Sequence, residues 1–247
     1  MKIRTTRLSL FVGPTVLATA ITVIAGCSGN SKATLPPAPV TTSSAPFVTT
    51  YTTTFPLKED PISEGGRWIG GKTVGIDWGN VSTKRALAIG HAGSRSFADS
   101  VALLTGNWEP NQTAEAVVEK LFVFRAPEVS LRLRSSLSAH RCTGYEVSYS
   151  LKGGDEAYLI IVRWNGPLAD FTYLLNEHGK EYSVTSGDVV KATIAGNVIT
   201  AYKNGVPLGQ AKDNTYLTGE PGFGFNESKN GYYGVTRYTV TAANASQ

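Results

Sequence analysis

The chain has 247 residues and a formal charge of +4 at neutral pH. A basic balance can indicate a partner such as nucleic acid or anionic lipid. Residues 1–26 hold three basic side chains and no acidic ones, however, and the rest of the chain has 20 basic and 19 acidic residues. This near-neutral remainder excludes the electrostatic footprint of a nucleic-acid-binding protein.

The first 27 residues have the organisation of an export signal. Lys2, Arg4 and Arg7 precede an apolar stretch that ends in Ile24-Ala25-Gly26-Cys27. A basic start, a short apolar segment and small residues before a cleavage point are typical of a secretory signal peptide. The last four residues resemble the lipobox of bacterial lipoproteins, in which the cysteine thiol is lipidated, the chain is cut before it, and the new amino group is acylated.

The lipobox resemblance implies that residues 1–26 are removed and that lipid on Cys27 anchors the protein to a membrane of the bacterial cell envelope. The domain would then face the periplasm or the exterior. Two alternatives remain open. One is a transmembrane helix, although residues 8–25 are only just long enough and contain Gly13 and Pro14. The other is an ordinary cleaved secretory signal.

Residues 27–54 are predicted to form a disordered linker. The segment is rich in Ser, Thr, Pro, Ala and Gly, with Pro36-Pro37 and Pro39 in its middle. Its apolar side chains are too sparse to form a core, and Pro and Thr keep such a chain extended. About 25 residues at ~3 Å each would hold a domain up to ~75 Å from the membrane.

Cysteine usage limits the ways in which the domain can be stabilised. The chain has two cysteines. If Cys27 carries lipid, Cys142 stands alone, which excludes an intrachain disulfide and a multi-cysteine zinc site. Stability must therefore come from the hydrophobic core of the residues that follow the linker.

From residue 55 onward the sequence predicts strands and turns, since no apolar 3.6-residue period continues beyond two helical turns. Alternating side chains predict half-buried strands at 129–134 and 145–151. Residues 157–164 are apolar on both faces and predict a central strand, in which Tyr158, Ile160 and Val162 should be largely buried. Further strands are predicted at 171–175, 189–195, 198–202 and 206–211, with turns at Gly196-Asn197 and Asn204-Gly205.

Residues 196–225 resemble the C-terminal half of a concanavalin A-like jelly roll, the superfamily that includes legume lectins, laminin G-like domains and glucanases. They carry a strand, Asn-Gly, a second strand, a loop and then Gly219-Glu220-Pro221-Gly222-Phe223-Gly224. The resemblance extends over roughly residues 60–242 and implies an all-β sandwich of two antiparallel sheets, which we assign to residues 55–247. These motifs are turns and core residues, so the resemblance implies a fold and not a chemistry.

The glucanases of this superfamily carry two Glu residues on one strand with an Asp between them. Here Glu115 and Glu119 flank Val117. Cα atoms four residues apart on a strand are ~13 Å apart, whereas a retaining glycosidase needs carboxyl groups about 5–5.5 Å apart. A solvated strand face is the favoured interpretation of this pair.

The alginate-lyase-like members carry an Arg-rich strand and a Gln-x-His motif. Arg132 and Arg134 are a faint counterpart of the first, and the sequence has no Gln-x-His. A lyase needs a group that neutralises the uronate carboxylate and a base that takes the α-proton. Arg132 with His140 or Tyr149 has the right chemistry, so a lyase is favoured over a hydrolase if the protein is an enzyme.

The sequence does not predict a metal or cofactor site. His91, His140 and His178 lack metal-ligand spacing and are expected to be solvated loop residues. Many jelly rolls bind calcium, and a calcium site near Asp213 stays open, although no acidic cluster surrounds it.

The strongest pattern for ligand binding is Arg163-Trp164-Asn165, followed in the sequence by Tyr173. Aromatic rings pack against the apolar face of a sugar, while Arg and amide groups bind its hydroxyls. Alternation puts Arg163 and Trp164 on opposite faces, so at most one of them lines a given groove. In the alternative interpretation, Trp164 lies in the core and Arg163 pairs with Glu146 or Asp170.

A second group of candidates lies on the preceding strands. We expect Arg132, Arg134 and Glu146 to share one concave face with Arg163, and three cations would favour an anionic or hydroxyl-rich polymer. The candidate carbohydrate-binding residues are therefore Arg132, Arg134, Glu146, Arg163, Trp164, Asn165 and Tyr173.

The sequence thus predicts a monomeric, lipid-anchored protein whose jelly-roll domain is a non-catalytic carbohydrate-binding or adhesive module. A polysaccharide-degrading enzyme is the first alternative. A structural protein of the cell envelope without a small ligand is the second.

Overall fold

Two antiparallel sheets pack face to face in the structure, a computed structural model that describes residues 47–75, 77–91, 97, 99–122, 127–226 and 232–244. The predicted signal peptide, Cys27 and most of the predicted linker lie outside these residues. The helices of the described residues are three short 3-10 turns, at Gly71–Val74, Gly154–Glu156 and Lys180–Tyr182. None of them has the length and apolar character needed to cross a membrane.

The described residues form fifteen strands, as the predicted all-β class requires. They are β1 Val48–Thr53, β2 Trp68–Gly70, β3 Asn80–Thr83, β4 Ala88–His91, β5 Ser100–Leu104, β6 Asn111–Lys120, β7 Glu128–Ser138, β8 Arg141–Ser150, β9 Tyr158–Gly166, β10 Phe171–His178, β11 Val189–Ala195, β12 Val198–Lys203, β13 Val206–Lys212, β14 Glu220–Asn226 and β15 Tyr233–Ala243.

The strands divide into an eight-stranded and a seven-stranded sheet. The first has the order β13-β12-β11-β6-β15-β4-β3, and β1 also pairs with β15. The second has the order β10-β9-β8-β7-β14-β5-β2. Several neighbours in each sheet are distant in sequence, so part of the connections, such as β5 to β6 and β6 to β7, cross from one sheet to the other. Alternation then places every second side chain of a strand in the layer between the sheets.

The main core fills that layer. On β7, Val129, Leu131 and Leu133 face inward, and each is fully buried. An aromatic group lies near the middle of the core, where Trp68 packs edge-on against Phe223 with ring centroids 5.0 Å apart. Burial of each large apolar side chain stabilises the fold by roughly 1.5–3 kcal/mol.

A second, smaller apolar cluster covers part of the outer face of the seven-stranded sheet. It contains Trp78, Val101, Leu103, Cys142, Val162 and Trp164. The rings of Trp78 and Trp164 meet edge-on, 5.2 Å apart. This cluster explains why β9 is apolar on both faces. Leu159 and Ile161 point into the main core, while Val162 and Trp164 point into the outer cluster.

The strand prediction for residues 157–164 is therefore confirmed, with a difference in burial. Val162 is 5% exposed, whereas Tyr158 and Ile160 are half-buried. These two side chains lie on the outer face, where the covering is incomplete. The fully buried residues of β9 are the alternate ones, Leu159 and Ile161.

The predicted hairpins at the C-terminal end are confirmed. β11 pairs with β12 through the turn at Gly196-Asn197, and β12 pairs with β13 through Asn204-Gly205. Asn204 and Gly205 have φ angles of 51° and 81°. Two consecutive positive φ angles are the requirement of a type I′ hairpin turn.

The glycines at 222 and 224 are explained by close packing within β14. This strand lies between β7 and β5. A Cβ atom on Gly222 would lie 2.2 Å from the carbonyl oxygen of Ala102, and one on Gly224 would lie 2.3 Å from that of Ser100. The Gly-Phe-Gly part of the sequence motif is thus a response to the approach of β5, and Phe223 fills the core between the two glycines.

The folded domain begins earlier than the predicted boundary at residue 55. Residues 48–53, which were expected to belong to the linker, form β1 and pair with β15 along their whole length. Hydroxyls of Thr52 and Thr239 lie 3.2 Å apart across this pair. Threonine is β-branched and suits a strand with one solvated face. The Thr-rich composition of these residues predicted a linker, but they form a strand that pairs with β15.

Candidate functional site

A groove lies on the outer face of the seven-stranded sheet, beside the outer apolar cluster. Its volume is about 260 Å³. Its aromatic end is formed by Phe97, Trp164, Phe171 and Tyr173. Its polar end is formed by Asp99, Glu128, Ser148 and Asn226, and Glu146, Ile160 and Val162 lie between the two.

Strand register brings these side chains together. Glu146 lies opposite Val162 in the β8–β9 pair, and Ser148 lies opposite Ile160. Directly paired residues point to the same face of a sheet. Glu128 reaches the same face from β7, because it is an even number of residues from Arg132, which pairs with Glu146.

The aromatic end offers both a fixed ring and accessible rings. Trp164 is 3% exposed, whereas Phe97 and Tyr173 are each about half exposed. Phe171 connects them, with ring centroids 5.1 Å from Trp164 and 5.3 Å from Tyr173. These contacts are edge-on or tilted, so ring surface stays available at the opening of the groove.

A buried ion pair fixes the middle of the groove. Arg132 is fully buried, and its Nη2 lies 2.7 Å from Oε2 of Glu146. The indole Nε1 of Trp164 donates to the same carboxylate oxygen, and Ser148 Oγ donates to Oε1 at 2.8 Å. The carboxylate thus orients the tryptophan ring, and the pair lies beneath the ring, with the guanidinium carbon 5.6 Å from the ring centroid.

Glu128 is the titratable group of the polar end with the clearest perturbation. Burial, reinforced by the negative charge of Glu146, raises the pKa of the Glu128 carboxyl to about 7. The hydroxyl of Tyr158 donates to Glu128 Oε1, and Nδ2 of Asn226 lies 3.5 Å from the same atom. Burial and the neighbouring carboxylate likewise raise the pKa of Tyr158 above its ordinary value. Near neutral pH, Glu128 therefore exists in both the protonated and the ionised form.

Arg163 does not face the groove. It points to the opposite side of β9, where Nη1 lies 2.6 Å from Oδ2 of Asp213 and 2.8 Å from Oγ1 of Thr215. Asn165 is bound into the same group, since its Oδ1 accepts from Nε of Arg163 at 3.0 Å and its Nδ2 donates to Asp170. The expectation that Arg163 lines the groove is wrong, because its partner Asp213 lies on the other face.

These contacts also bear on the calcium site left open near Asp213. The Tyr145 hydroxyl donates to Oδ1 of Asp213 at 2.7 Å, and the backbone N–H of Thr215 donates to the same oxygen at 2.8 Å. Arg163 donates to Oδ2. Burial alone would raise the pKa of Asp213, but the hydrogen bonds and the Arg163 charge lower it. A carboxylate whose oxygens are already used by three donors does not fit a calcium ligand.

The Arg134 side chain does not lie on the expected face of the sheet either. A bulge between Leu133 and Ser136 interrupts the β7–β8 register, and Arg134 has a φ of 45°. Its Nε donates to the carbonyl oxygen of Pro110 at 2.7 Å, and its Nη1 to that of Tyr216 at 3.2 Å. Simple alternation put Arg134 on the same face as Arg132, and the bulge is the reason that it is not.

The structure therefore separates the seven candidates into two groups. Glu146, Trp164 and Tyr173 line the groove, with Arg132 buried beneath it. Arg134, Arg163 and Asn165 are bound to groups elsewhere. Six residues that line the groove were not predicted from the sequence: Phe97, Asp99, Glu128, Ser148, Phe171 and Asn226. Of these, Glu128 had a usable signal, because its even spacing from Arg132 along one strand predicts a shared face.

The enzyme-like patterns of the sequence lie away from the groove. Glu115 and Glu119 are on β6, on the solvent face of the other sheet, and contact Arg237 and Ser186. The hydroxyl of Tyr149 donates to the Lys191 carbonyl oxygen, so this side chain faces the core and not Arg132.

The histidines do not gather into a metal site. His140 is 76% exposed and lies 3.3 Å from Asp77, while His91 contacts Ser82. His178 packs against the ring of Tyr158. Within the described ranges, no group of three or more His, Cys, Asp or Glu side chains could hold a metal ion.

The fold is shared with several solved structures at low sequence identity. No protein-family model matches the sequence, and no curated protein sequence matches it significantly. The CBM2 module of the evolved Dit of Lactobacillus casei BL23 phage J-1 superposes with a TM-score of 0.55 at 7% identity, covering 83% of this chain and 100% of that one. A protein with a galectin-like fold from Bacillus subtilis gives 0.54 at 13% identity, covering 79% and 96%.

A third similar structure is the carbohydrate-binding module CBM66 from Bacillus subtilis. Its TM-score is 0.51 at 14% identity, and the match covers 74% of this chain and 96% of that one. Identities this low establish a common fold and no more. The predicted jelly-roll sandwich of two antiparallel sheets is confirmed.

Proposed function

We propose that the jelly-roll domain binds carbohydrate in the groove on the seven-stranded sheet and does not cleave it. The observation that carries the proposal is the arrangement of the groove, where accessible aromatic rings stand at one end and hydrogen-bonding side chains at the other. One solved structure of the same fold is described as a carbohydrate-binding module, and another as a CBM2 module, which supports the proposal.

The two ends of the groove suit the two kinds of surface on a sugar. The apolar C–H face of a pyranose or furanose ring packs against aromatic rings such as Tyr173 and Phe171. Its hydroxyls need polar partners, which Glu128, Ser148 and Asn226 supply. A volume of about 260 Å³ is near the lower end for small-molecule sites. The groove therefore suits a chain end or a short stretch of a glycan.

Binding without catalysis is favoured because the central carboxylate, that of Glu146, is inaccessible to a ligand. Glu146 is 3% exposed, and both of its oxygens accept hydrogen bonds from neighbouring side chains. A nucleophilic carboxylate must reach the anomeric carbon. A lyase would need an accessible cation at the uronate carboxylate, and Arg132 is fully buried.

A glycoside hydrolase is the second candidate function. Glu128 and Asp99 both line the polar end of the groove. A carboxyl group whose pKa lies near 7 is suited to general acid catalysis. The sequence favoured a lyase over a hydrolase. Because Arg132 is buried, a lyase is now the less well supported of the two activities.

Binding of the purified protein to a panel of neutral and acidic oligosaccharides tests the proposal. Tyr173→Ala should weaken binding by about 1 kcal/mol, or roughly fivefold in Kd, because it removes an accessible stacking ring. Tyr202→Ala is the matched control, since Tyr202 lies on the outer face of the other sheet. Shorter products after incubation would favour the hydrolase, and absence of both binding and products would favour a structural envelope protein.

We also propose that lipid on Cys27 anchors the domain to a membrane of the bacterial cell envelope. The support is the lipobox-like run Ile24-Ala25-Gly26-Cys27 after a basic and apolar segment. The anchor would place the groove where extracellular or periplasmic glycans are accessible.

A further inference from the structure

The outer face of β9 and β10 continues beyond the groove. Directly paired side chains of two strands point to the same side of a sheet. The pairs on this face are Phe171 with Trp164, Tyr173 with Val162, Asn176 with Ile160 and His178 with Tyr158. The first two pairs and Ile160 line the groove. Asn176, His178 and Tyr158 extend the same face along the strands, toward the end of β10.

A β-bulge turns two of these side chains to the outer face. The register of β10 against β9 shifts between Tyr173 and Leu175, so Leu174 is an extra residue. Strict alternation from Tyr173 would place Asn176 and His178 on the opposite face, because they are three and five residues away. β10 is an edge strand, and bulges on edge strands re-aim side chains, frequently beside functional sites. The groove face is therefore longer than alternation alone would make it.

The three side chains at this end, Tyr158, Asn176 and His178, offer the same kinds of contact as the groove, and we call them the β10 cluster. Asn176 and His178 are exposed, and Tyr158 is half-buried. The rings of Tyr158 and His178 pack together with centroids 5.8 Å apart and planes inclined by 52°. The Tyr158 hydroxyl is fixed by its hydrogen bond to Glu128. Ring surface and an amide group are thus available to the apolar face and the hydroxyls of a second sugar.

The spacing between the groove and the β10 cluster determines the size of a ligand that contacts both. Tyr173 lies opposite Val162, and His178 lies opposite Tyr158. Val162 and Tyr158 are four residues apart on β9, which corresponds to ~13 Å along a strand. A single sugar ring is too small to reach from the exposed ring of Tyr173 to the β10 cluster, whereas a linear chain of several sugars spans both.

We propose that the protein binds an extended linear glycan, with one sugar in the groove and a later sugar of the same chain on the β10 cluster. The inference rests on the proposed function and names the ligand class of that site, a linear chain of several sugars. Asn176 binds a hydroxyl of the later sugar, and His178 with Tyr158 packs against its ring. Two separate contacts on one chain strengthen binding, because the second forms at the high effective concentration set by the first.

The experiment measures how affinity depends on ligand length. The probes are linear β-1,4-linked glucose oligomers and β-1,4-linked mannose oligomers, each from the dimer to the hexamer. Kd is measured by calorimetry with the purified protein at one pH and one salt concentration. The hexamer should bind about tenfold more tightly than the dimer, because only the longer chain reaches both the groove and the β10 cluster.

Substitutions in the β10 cluster should affect only the longer ligand. Asn176→Ala and His178→Ala should each weaken binding of the hexamer about fivefold and leave binding of the dimer unchanged. Glu177→Ala is the matched control and should bind both lengths as wild type does. Glu177 is exposed and lies between the two residues, but it pairs with Leu159 and so occupies the opposite face of β10.

Nuclear magnetic resonance of the wild-type protein tests the same claim without a substitution. The backbone amide signals of residues 176–178 should shift when the hexamer binds and not when the dimer binds. The signals of residues 171–173, at the groove, should shift with both ligands.

Three outcomes would overturn the inference. If dimer and hexamer bind equally and the signals of residues 176–178 do not shift, the groove binds glycan and the β10 cluster takes no part. If both substitutions weaken binding of the dimer as much as binding of the hexamer, the cluster is not a separate contact for a longer chain. If no oligomer of either series binds, the inference falls together with the proposed function.

Discussion

The ion pair between Arg132 and Glu146 determines the position of Trp164 in the groove. Both partners are buried, and the same carboxylate that accepts from Arg132 accepts from the indole N–H. A buried pair of this kind contributes little net stability, because desolvation offsets the attraction, but loss of one partner leaves a buried charge. Its effect here is to hold one ring rotamer at the edge of the outer apolar cluster.

Removing one partner of this pair should be more damaging than removing both. Arg132→Met or Glu146→Gln alone should lower the free energy of unfolding by about 3–5 kcal/mol, because the remaining charge loses its partner. The double variant should recover part of that loss. Urea denaturation of the four proteins gives the coupling energy. Additive single effects would contradict the role assigned to the pair.

Glu128 should make stability depend on pH in a particular window. Its pKa is raised from the ordinary value of 4.5 to about 7, so the folded state binds a proton more tightly than the unfolded state. The stability that comes from the protonated carboxyl is fully present below about pH 4.5, falls as the pH rises, and is lost above about pH 7.

The measurement is the melting temperature of wild type and Glu128→Gln across this window. The variant should gain stability relative to wild type as the pH rises, because its side chain does not ionise. A constant difference between the two proteins over the window would show that the Glu128 pKa is not raised.

At the scale of elements, β9 is the strand that joins the core to the groove. Leu159 and Ile161 face the main core, and the alternate residues Val162 and Trp164 face the outer cluster. One strand therefore contributes to both apolar clusters, and the rigidity of the core positions the groove residues. On either side of it, β8 supplies the carboxylate of Glu146 and β10 supplies the exposed ring of Tyr173.

The two faces of β9 should respond differently to truncation. Ile161→Ala should lower the free energy of unfolding by about 2–5 kcal/mol, because the side chain is fully buried in the main core. Ile160→Ala should cost clearly less, since that side chain is half-buried at the groove. Equal losses in chemical denaturation would indicate that the groove face is packed as tightly as the core.

At the scale of the whole molecule, the start of β1 limits how far the domain could lie from the proposed anchor. Because β1 begins at Val48, the residues between it and Cys27 number about 20. At ~3 Å each, an extended tether of this length reaches ~60 Å, which is shorter than the ~75 Å expected from the sequence.

The anchor itself is tested by Cys27→Ser. Only a thiol accepts the diacylglyceryl group in the lipoprotein family that the run at 24–27 resembles, so the variant should lose lipidation and processing at that site. Partitioning into a detergent phase separates lipidated from unlipidated protein. A processed variant that still enters the detergent phase would contradict the lipobox interpretation.

Local patterns in the sequence predicted the strands from β7 to β13. A two-residue period marked β7 and β8, and a run that is apolar on both faces marked β9. The Gly-Asn and Asn-Gly turns marked the hairpins of β11, β12 and β13. These signals arise from neighbouring residues, since alternation and turn conformation are properties of short segments. The same reasoning failed for β1, whose strand is completed by β15 at the far end of the chain.

The groove was decided by tertiary structure, because its side chains come from strands that meet only after folding. Alternation correctly separated Arg163 from Trp164, but it could not reveal that Asp213, fifty residues further on, would bind Arg163 or that a bulge would turn Arg134 away. Charge and burial at a site depend on which strands become neighbours. The residues of one strand therefore determine its two faces, and only the pairing of the strands determines which face becomes a groove and what charge it carries.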